Sequence, residues 1–374
     1  MEKIFFYSNI RVYDQTIGIT KKVMTQINAF KEMGYEVYYS GYLQDGVGIF
    51  DINGSIIKKK KYPTKSSRLN RYLRRWSLLD IVTEFIKETH IQFNYGYLRF
   101  HFFDHSYLRL LKALKSKGLA TIVEAHAYPY KTGKFSLNPI LILDSIYTPY
   151  VKNYIDLVAG ICDTDNIWGV KTVNIDNAID LNKISIQNKK EFKQKSIRII
   201  SVANETRFHS YDKAIKGLHE YYKNGGDWNI TLNLVGEYLD ETKRLIKKYG
   251  LEDKVTFYGK LYGEDLDKVY DISDLGLGAF SYRKNETTGS CLKTKEYFAK
   301  GIPFINGWRE PAFDDTYPYV KRFETSLDII DFKEVVNFYE GIKEENISQK
   351  MRVFAEEHYS WISQFQKVFE KIKA

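Results

Sequence analysis

Short apolar segments rich in β-branched and aromatic residues alternate with helical patterns along almost the whole chain of 374 residues. In the first half, the pattern predicts helices over 19–33 and 106–117. Strands are expected before, between and after these helices, at 3–8, 36–40, 92–97, 120–125, 157–162 and 172–175. This alternation is typical of βαβ units, which build parallel sheets.

The second half repeats the pattern after a polar stretch without periodicity, 177–196, which we interpret as a linker. Strands are expected at 197–203, 230–235, 255–258, 275–280 and 302–306, with helices at 211–224, 239–249, 263–272 and 290–300. The chain is too long for one ordinary core. We therefore expect an α/β protein with two doubly wound, Rossmann-like parallel-sheet domains, 1–180 and 190–357, that face each other across a cleft. A C-terminal helix, about 358–374, is expected to pack back on the first domain.

The segment 287–305 is the most informative part of the chain. Ser290 is suited to cap a helix there, and Gly301 is suited to end it in the left-handed conformation. A helix between two strands of a parallel sheet starts at the carboxyl edge of that sheet, where its free N–H groups favour phosphate. Lys293 and Glu296 share one face of this helix, as a cation for a phosphate and a carboxylate for ribose hydroxyls. The alternative is a solvated Lys–Glu pair.

Further polar and glycine residues follow the strands of the second half. Arg207 and His209 lie in the loop after the first strand, where arginine offers a rigid fork for phosphate oxygens and His209 a hydrogen bond or, if protonated, a charge. Ser210 is predicted to cap the next helix. Gly236 and Gly259 let the backbone turn closely at the sheet edge. Surface positions for the arginine and histidine, and ordinary turns for the glycines, are the alternatives.

The first half offers four candidates. Gly18, between a strand and the first long helix, lets a substrate approach the backbone, or is a simple loop glycine. His126 follows a strand and is expected to bond a sugar hydroxyl or shuttle a proton, unless it is structural. Glu124 is expected to orient that ring or act as a base. Arg99 is expected to hold an anionic acceptor or to pair with Glu124.

Composition adds a strongly basic segment. The net charge of +9 comes entirely from the first half, and nine basic residues without an acid lie between Asp51 and Asp80. Leu69, Tyr72, Leu73 and Trp76 interleave with the arginines at helical spacing, as on an amphipathic interfacial helix, so residues 58–76 are predicted to hold the protein at an anionic membrane surface. A solvated basic helix is the alternative. Nucleic acid is a weaker alternative, because no nucleic-acid fold signature accompanies the charge.

The remaining composition indicates a cytoplasmic protein, which that basic segment would hold peripherally at the inner face of the cell membrane. No apolar stretch is long enough to span a bilayer, and the N-terminus lacks the features of a signal peptide. Cys162 and Cys291 lie far apart and without metal-ligand spacing, so neither a disulfide framework nor a metal site is expected.

Four motifs together resemble the family-4-type (GT-B) glycosyltransferases of bacterial surface polysaccharide and exopolysaccharide synthesis. The segment "SCLKTKEYFAKGIPFI", 290–305, is similar to that family's "S-x-LK-x-EY-x-A-x-GIPFI" motif, and this match is specific. Three moderate matches are "RFHSYDK", 207–213, to "WHGYDR"; "VEAHAYPYK", 123–131, to "EIPTYPYD"; and "NIDNAID", 174–180, to "PNGVD". The resemblance covers nearly the whole chain.

The resemblance implies a retaining transfer from a nucleoside diphosphate sugar, UDP-linked, to a glycan acceptor that is lipid-linked, without metal or other cofactor. It implies an acceptor-binding first domain and a donor-binding second domain. Catalytic roles would fall to His126, Arg207 and Lys293. The implied donor contacts are Gly18, His209, Gly236, Gly259, Gly289, Ser290 and Glu296.

One position departs from the family pattern. The first acid of the paired-glutamate motif should lie eight residues before Glu296, where this chain has Thr288. Glu286 replaces it only if the loop shifts. This departure leaves two alternatives to a transferase: a non-catalytic partner that recognises glycan, and a nucleotide-sugar epimerase.

Overall fold

The computed structural model describes the chain in two compact units. One unit comprises Met1–Asp176 with Trp361–Ala374, and the other comprises Asn177–Ser360. The described residues are 1–14, 17–62, 68–126, 128, 138–162, 164–188, 195–280, 291–310, 312–342 and 345–374.

The first unit is built on a nine-stranded sheet with the strand order β4-β3-β2-β1-β5-β6-β7-β9-β8. Its strands are β1 Lys3–Tyr7, β2 Glu36–Tyr42, β3 Gly46–Phe50, β4 Ile56–Lys61, β5 Tyr95–Arg99, β6 Ala120–Ala125, β7 Leu157–Gly160, β8 Asn166–Ile167 and β9 Val170–Asn174. Its helices are α1 Gly18–Glu32, α2 Arg68–Glu88, α3 His105–Ser116, α4 Pro139–Val151 and, at the C-terminus, α11 Trp361–Lys373.

The six strands predicted for this half are confirmed. The prediction of a purely parallel sheet is wrong. Strands β2, β3 and β4 pair antiparallel, and so do β8 and β9. Strand β4 consists of two isoleucines followed by four lysines, a pattern without apolar alternation. It forms because its backbone pairs with β3, and its side chains are largely exposed.

The second unit has a six-stranded, wholly parallel sheet with the order β12-β11-β10-β13-β14-β15. Its strands are β10 Ser196–Val202, β11 Asn229–Val235, β12 Val255–Gly259, β13 Leu275–Leu277, β14 Phe304–Asn306 and β15 Val320–Arg322. Its helices are α5 Asp212–Lys223, α6 Asp240–Lys248, α7 Gly263–Asp271, α8 Leu292–Lys300, α9 Phe332–Gly341 and α10 Ile347–His358, with a 3₁₀ turn at Leu181–Lys183. The five predicted strands are confirmed.

The C-terminal helix α11 belongs to the first unit. Phe365 stacks on Phe30 of α1 with ring centroids 3.9 Å apart, and Phe369 stacks on Tyr35 at 4.8 Å. The Gln364 side chain accepts a hydrogen bond from the backbone N–H of Asp176. Within the described ranges, no helix combines the length and the apolar character needed to cross a membrane.

The basic segment 58–76 contains parts of two elements, and the helical spacing around its arginines is confirmed by helix α2. Residues Ile56–Lys61 form strand β4, and the helix begins only at Arg68. The arginines of the helix are also not all exposed. Arg75 is 3 % exposed and pairs with Asp104, and Arg74 donates to backbone carbonyl groups. These two charges are therefore turned into the protein, away from a membrane surface.

Candidate functional site

Helix α8 starts at the carboxyl edge of the second sheet, because it follows the parallel strand β13. It ends as predicted, with Gly301 in the left-handed conformation at φ 73°. Its N-cap residue is Cys291, whose side chain makes no capping hydrogen bond. The first-turn N–H groups therefore receive no side-chain cap from that residue, and a helix start of this kind favours an anion.

Lys293 lies in the first turn of α8, and its ammonium group is enclosed by polar oxygens. Nζ donates to the hydroxyl group of Tyr211 and lies 3.4 Å from Oγ of Ser201. The Tyr211 hydroxyl in turn bonds Ser201 at 2.5 Å. Burial lowers the pKa of Lys293 to about 7, although Glu296 and Glu205 nearby favour the charged form. The amine is therefore poised between its two protonation states at neutral pH.

Glu296 lies one turn after Lys293 on the same face of the helix. Burial raises the pKa of its carboxyl group, and the charges of Lys293 and Lys300 oppose that rise only in part. In the described part of the chain, no side chain or backbone group donates a hydrogen bond to this carboxylate. A partly buried acceptor pair of this kind is suited to a ligand with two neighbouring hydroxyl groups.

His209 is held in the loop between β10 and α5. Its Nδ1 accepts a hydrogen bond from the backbone N–H of Thr206 at 3.0 Å, and its own carbonyl accepts from the N–H of Phe280 at 2.9 Å. Burial, followed by the charge of Lys293, lowers the pKa of His209 to about 4. The ring is therefore neutral at pH 7. Of the two roles predicted for His209, this leaves the hydrogen bond and not the positive charge. With Nδ1 accepting, Nε2–H is left as a donor.

Arg207 lies apart from these three residues. Its side chain is exposed, and it lines a small cavity of about 190 Å³ together with Glu205 and Asp212. Among the described residues, nothing joins Arg207 to Lys293 through a hydrogen bond or ion pair. The structure thus brings Lys293, Glu296 and His209 within electrostatic reach of one another, and leaves Arg207 at the neighbouring cavity.

Ser210 does not cap helix α5 as predicted. It adopts the left-handed conformation at φ 50°, and its hydroxyl donates to the carbonyl of Arg207. The N-cap position belongs to Tyr211, which makes no side-chain capping bond because its hydroxyl reaches Lys293 instead. The contacts of Tyr211 and Ser201 with Lys293 were not predicted from the sequence, because a tyrosine at a helix start does not by itself indicate a polar contact.

Gly236 and Gly259 both have positive φ, and at Gly236 a backbone group also lies too close for a side chain. Gly236 has φ 118°, and a Cβ atom there would lie 2.0 Å from the carbonyl oxygen of Ala203. Its N–H donates to the carbonyl of Gly259, which itself has φ 68°. Only glycine tolerates such a close approach at positive φ. These contacts account for both glycines as turn residues at the sheet edge, whether or not a ligand approaches.

A buried ion pair connects the first turn of α8 to Glu310. Nζ of Lys295 lies 2.5 Å from the carboxylate of Glu310, and both side chains are fully buried. Thr294 donates to the other oxygen of that carboxylate at 2.6 Å. The lysine therefore points into the unit, while Lys293 faces the sheet edge. The sequence "LKTKEY" alone does not indicate that its two lysines have different roles.

In the first unit, a second polar cluster surrounds the buried Glu124. Its carboxylate accepts from Gln26 at 2.9 Å and from the hydroxyl of Tyr97 at 3.1 Å. Lys22 lies 3.5 Å and Arg99 3.9 Å from the other oxygen. Burial opposes ionisation, but Lys22 and Arg99 outweigh it and lower the pKa of the Glu124 carboxyl. Glu124 is therefore held in its charged form, and Arg99 pairs with it.

His126 emerges from the end of β6 beside this cluster and is exposed to solvent. Partial desolvation, followed by the positive charge of Arg99, lowers the pKa of His126 to about 4. A neutral imidazole at this place is able to accept or donate a hydrogen bond to a sugar hydroxyl. Gly18 is the exposed first residue of α1, and a Cβ atom there would meet nothing within 4 Å.

Four residues that the sequence singled out lie outside the described residues. They are Glu286, Thr288, Gly289 and Ser290.

Comparison with protein families and solved structures places this site in a known context. Residues 182–306 match the family model "Glycosyl transferases group 1". This match spans the strands and helices that carry Lys293, Glu296 and His209. The sequence has no match among curated proteins.

Solved structures with the same fold cover the whole chain. HepE from Anabaena, solved with UDP, has a TM-score of 0.60 at 12 % identity, with 100 % of both chains covered. Sucrose-phosphate synthase from Thermosynechococcus elongatus also reaches 0.60 at 12 % identity, covering 100 % of this chain and 99 % of that one. TarM reaches 0.62 at 11 % identity with the same coverage. The chain therefore has the GT-B fold, as predicted, and with the family match this supports a GT-B glycosyltransferase.

Proposed function

We propose that the protein is a retaining glycosyltransferase that moves a sugar from a UDP-linked donor to a glycan acceptor, without a metal ion. The observation that carries this proposal is the position of Lys293 in the first turn of helix α8, at the carboxyl edge of the sheet, with Glu296 one turn further on. The helix start and the amine suit a diphosphate, and the carboxylate suits a ribose. HepE, which has the same fold, was solved with UDP-glucose at 14 % identity.

In the proposed mechanism, the second unit stabilises the leaving diphosphate. The first-turn N–H groups of α8, the ammonium group of Lys293 and the Nε2–H of His209 would each face the negative charge that develops as the glycosidic bond breaks. The acceptor hydroxyl attacks the same face of the sugar, and its proton passes to the departing phosphate oxygen. No nucleophile from the protein is needed, since positioning and charge supply the catalysis.

A panel of nucleotide sugars tests the proposal. We expect slow release of sugar from one UDP-linked donor, and transfer when a glycan acceptor is added, with EDTA leaving both rates unchanged. Mass spectrometry identifies the products. Absence of UDP binding at millimolar concentration would instead indicate a non-catalytic partner. Interconversion of the donor sugar without an acceptor would indicate an epimerase.

The affinity for UDP is expected to depend on pH through Lys293. Its pKa is about 7 in the free protein, and a bound diphosphate raises it, because the anion favours the charged amine. Binding is therefore strongest below pH 7 and weakens by up to about tenfold per pH unit as the pH rises above 7. Calorimetric titrations at pH 8 in two buffers of different ionisation enthalpy should show proton uptake.

Lys293→Met provides the control for this linkage, since it removes the titrating group and keeps the length of the side chain. The variant should bind UDP more weakly and without proton uptake at pH 8. An affinity of the native protein that stays constant between pH 6.5 and 8.5 would contradict the assignment of Lys293 to the diphosphate.

We also propose a lipid-linked acceptor in surface polysaccharide synthesis at the inner membrane face. Lys59, Lys60 and Lys61 on β4 are exposed, and helix α4 exposes Ile142, Ile146 and Tyr150 at intervals of four residues. Both features suit an anionic lipid surface. Flotation with liposomes should require anionic lipid and decline with salt, as screening predicts. Binding that ignores lipid charge would contradict the proposal.

A further inference from the structure

The arginines of the basic segment do not form a solvated helix face, because three of them line a cavity in the first unit. Arg71, Arg74 and Arg75 of α2 face a space of about 770 Å³, together with Arg11 from the loop after β1. No carboxylate belongs to the described residues that line this space.

The four arginines differ in what compensates their charge. Arg75 is buried and pairs with Asp104, and it also donates to the carbonyl of Phe102 at 2.8 Å. Arg74 is fixed by the carbonyl groups of Leu43 and Gly46, which satisfy donors but do not neutralise the charge. Its guanidinium lies 4.6 Å from the centroid of the Tyr42 ring. Arg74 is therefore a rigidly held cation, and no carboxylate of the described residues pairs with it.

Arg11 and Arg71 are exposed and unpaired. Within the described ranges, neither guanidinium group donates a hydrogen bond or forms an ion pair. Together with Arg74 they leave three positive charges around one cavity, without a negative partner. Like charges gathered in this way repel each other, so the arrangement favours an anion that all of them contact.

The cavity lies where α/β sheets hold ligands. Asn9, after β1, and His101, after β5, both contribute to its wall. Strands β1 and β5 are parallel neighbours, so these two residues mark the carboxyl edge of the first sheet. Tyr72 and Phe102 add aromatic surface beside the charges. The wall thus combines cations, hydrogen-bonding groups and flat apolar surface.

We infer that this cavity binds a phosphate group of the acceptor, so that the acceptor is a phosphate- or diphosphate-bearing glycan rather than a neutral one. This inference rests on the proposed function, which assigns the acceptor to the first unit. Arginine presents a planar fork of donors that matches phosphate oxygens, and three such groups exceed what a neutral sugar requires. The phosphate can belong to a polyprenyl carrier or to a soluble sugar phosphate.

Calorimetric titrations with the full chain, in the presence of saturating UDP, test the inference and keep phosphate probes away from the donor site. The probes are farnesyl phosphate and a hexose 1-phosphate, each compared with its phosphate-free counterpart, farnesol or hexose. We expect binding only of the phosphate-bearing probes. Tighter binding of farnesyl phosphate would assign the phosphate to a lipid carrier, and tighter binding of the sugar phosphate to a soluble acceptor.

The variants Arg11→Gln and Arg71→Gln locate the binding. Each should weaken the phosphate-bearing probe about tenfold or more, the loss of one charge-assisted contact. Lys87→Gln is the matched control, because Lys87 lies exposed on the same helix as Arg71 but does not line the cavity. All three positions are exposed, so folding should be unchanged.

Two results would overturn the inference. One is equal binding of the probes with and without phosphate. The other is an equal effect of Arg71→Gln and Lys87→Gln, which would indicate charge attraction without a site. Neither result depends on the donor site. If UDP did not bind, in contrast, the proposed transfer reaction would be contradicted. The phosphate titrations would still test the inference.

Discussion

Replacing Lys293 by methionine is expected to lower kcat by about two to three orders of magnitude, the loss typical of one donor that stabilises a developing negative charge. The variant should nevertheless be no less stable than the native protein. Burial depresses the pKa of Lys293, so its charge opposes folding at neutral pH, and an apolar side chain removes that cost. Steady-state kinetics with the donor and a thermal unfolding curve measure the two effects separately.

Lys247→Met is a suitable control, because Lys247 lies exposed in the last turn of α6. It should leave both kcat and stability unchanged. If Lys293→Met kept the native kcat, the proposed role of the α8 helix start would be wrong. A parallel loss of activity and stability would indicate a structural lysine instead.

The second large effect is on stability. Lys295→Met should lower the free energy of unfolding by about 3–5 kcal/mol, because it removes one member of the fully buried ion pair that Lys295 forms with Glu310. The double substitution Lys295→Met with Glu310→Leu should recover most of this loss, since removing both members of a buried pair is often nearly neutral. Urea unfolding monitored by tryptophan fluorescence measures the change.

The exposed pair Lys321–Glu334 provides the comparison. Lys321→Met should cost less than about 1 kcal/mol, the usual range for pairs in contact with solvent. If Lys295→Met cost no more than Lys321→Met, the buried pair would not anchor helix α8. If the double variant were as unstable as the single one, the loss of stability would come from changed packing rather than from the loss of the ion pair.

The sequence predicted the parts of the molecule that depend on local patterns. The apolar runs of the second unit predicted every strand from β10 to β14, because parallel strands buried on both faces need continuous apolar residues. Gly301 predicted the end of α8 for an equally local reason, the left-handed conformation. Since α8 follows a parallel strand, the placement of Lys293 and Glu296 at the sheet edge then follows from topology alone.

Features that depend on distant partners were not predictable. The hydroxyl group of Tyr211 reaches Lys293 across 82 positions of sequence, and nothing local marks that contact. Lys295 and Lys293 are two residues apart, yet one is fully buried and the other faces the sheet edge. The pKa values of His209 and His126, both about 4, depend on desolvation and on nearby cations that only the fold brings together.

The lysine-rich strand β4 has a consequence for solubility. It forms one border of the nine-stranded sheet, where unpaired backbone groups would otherwise invite a strand from another molecule. Four consecutive lysines repel such a partner by charge and demand hydration that intermolecular pairing would strip away. The same residues that suit an anionic surface thus protect the protein from self-association through its first sheet.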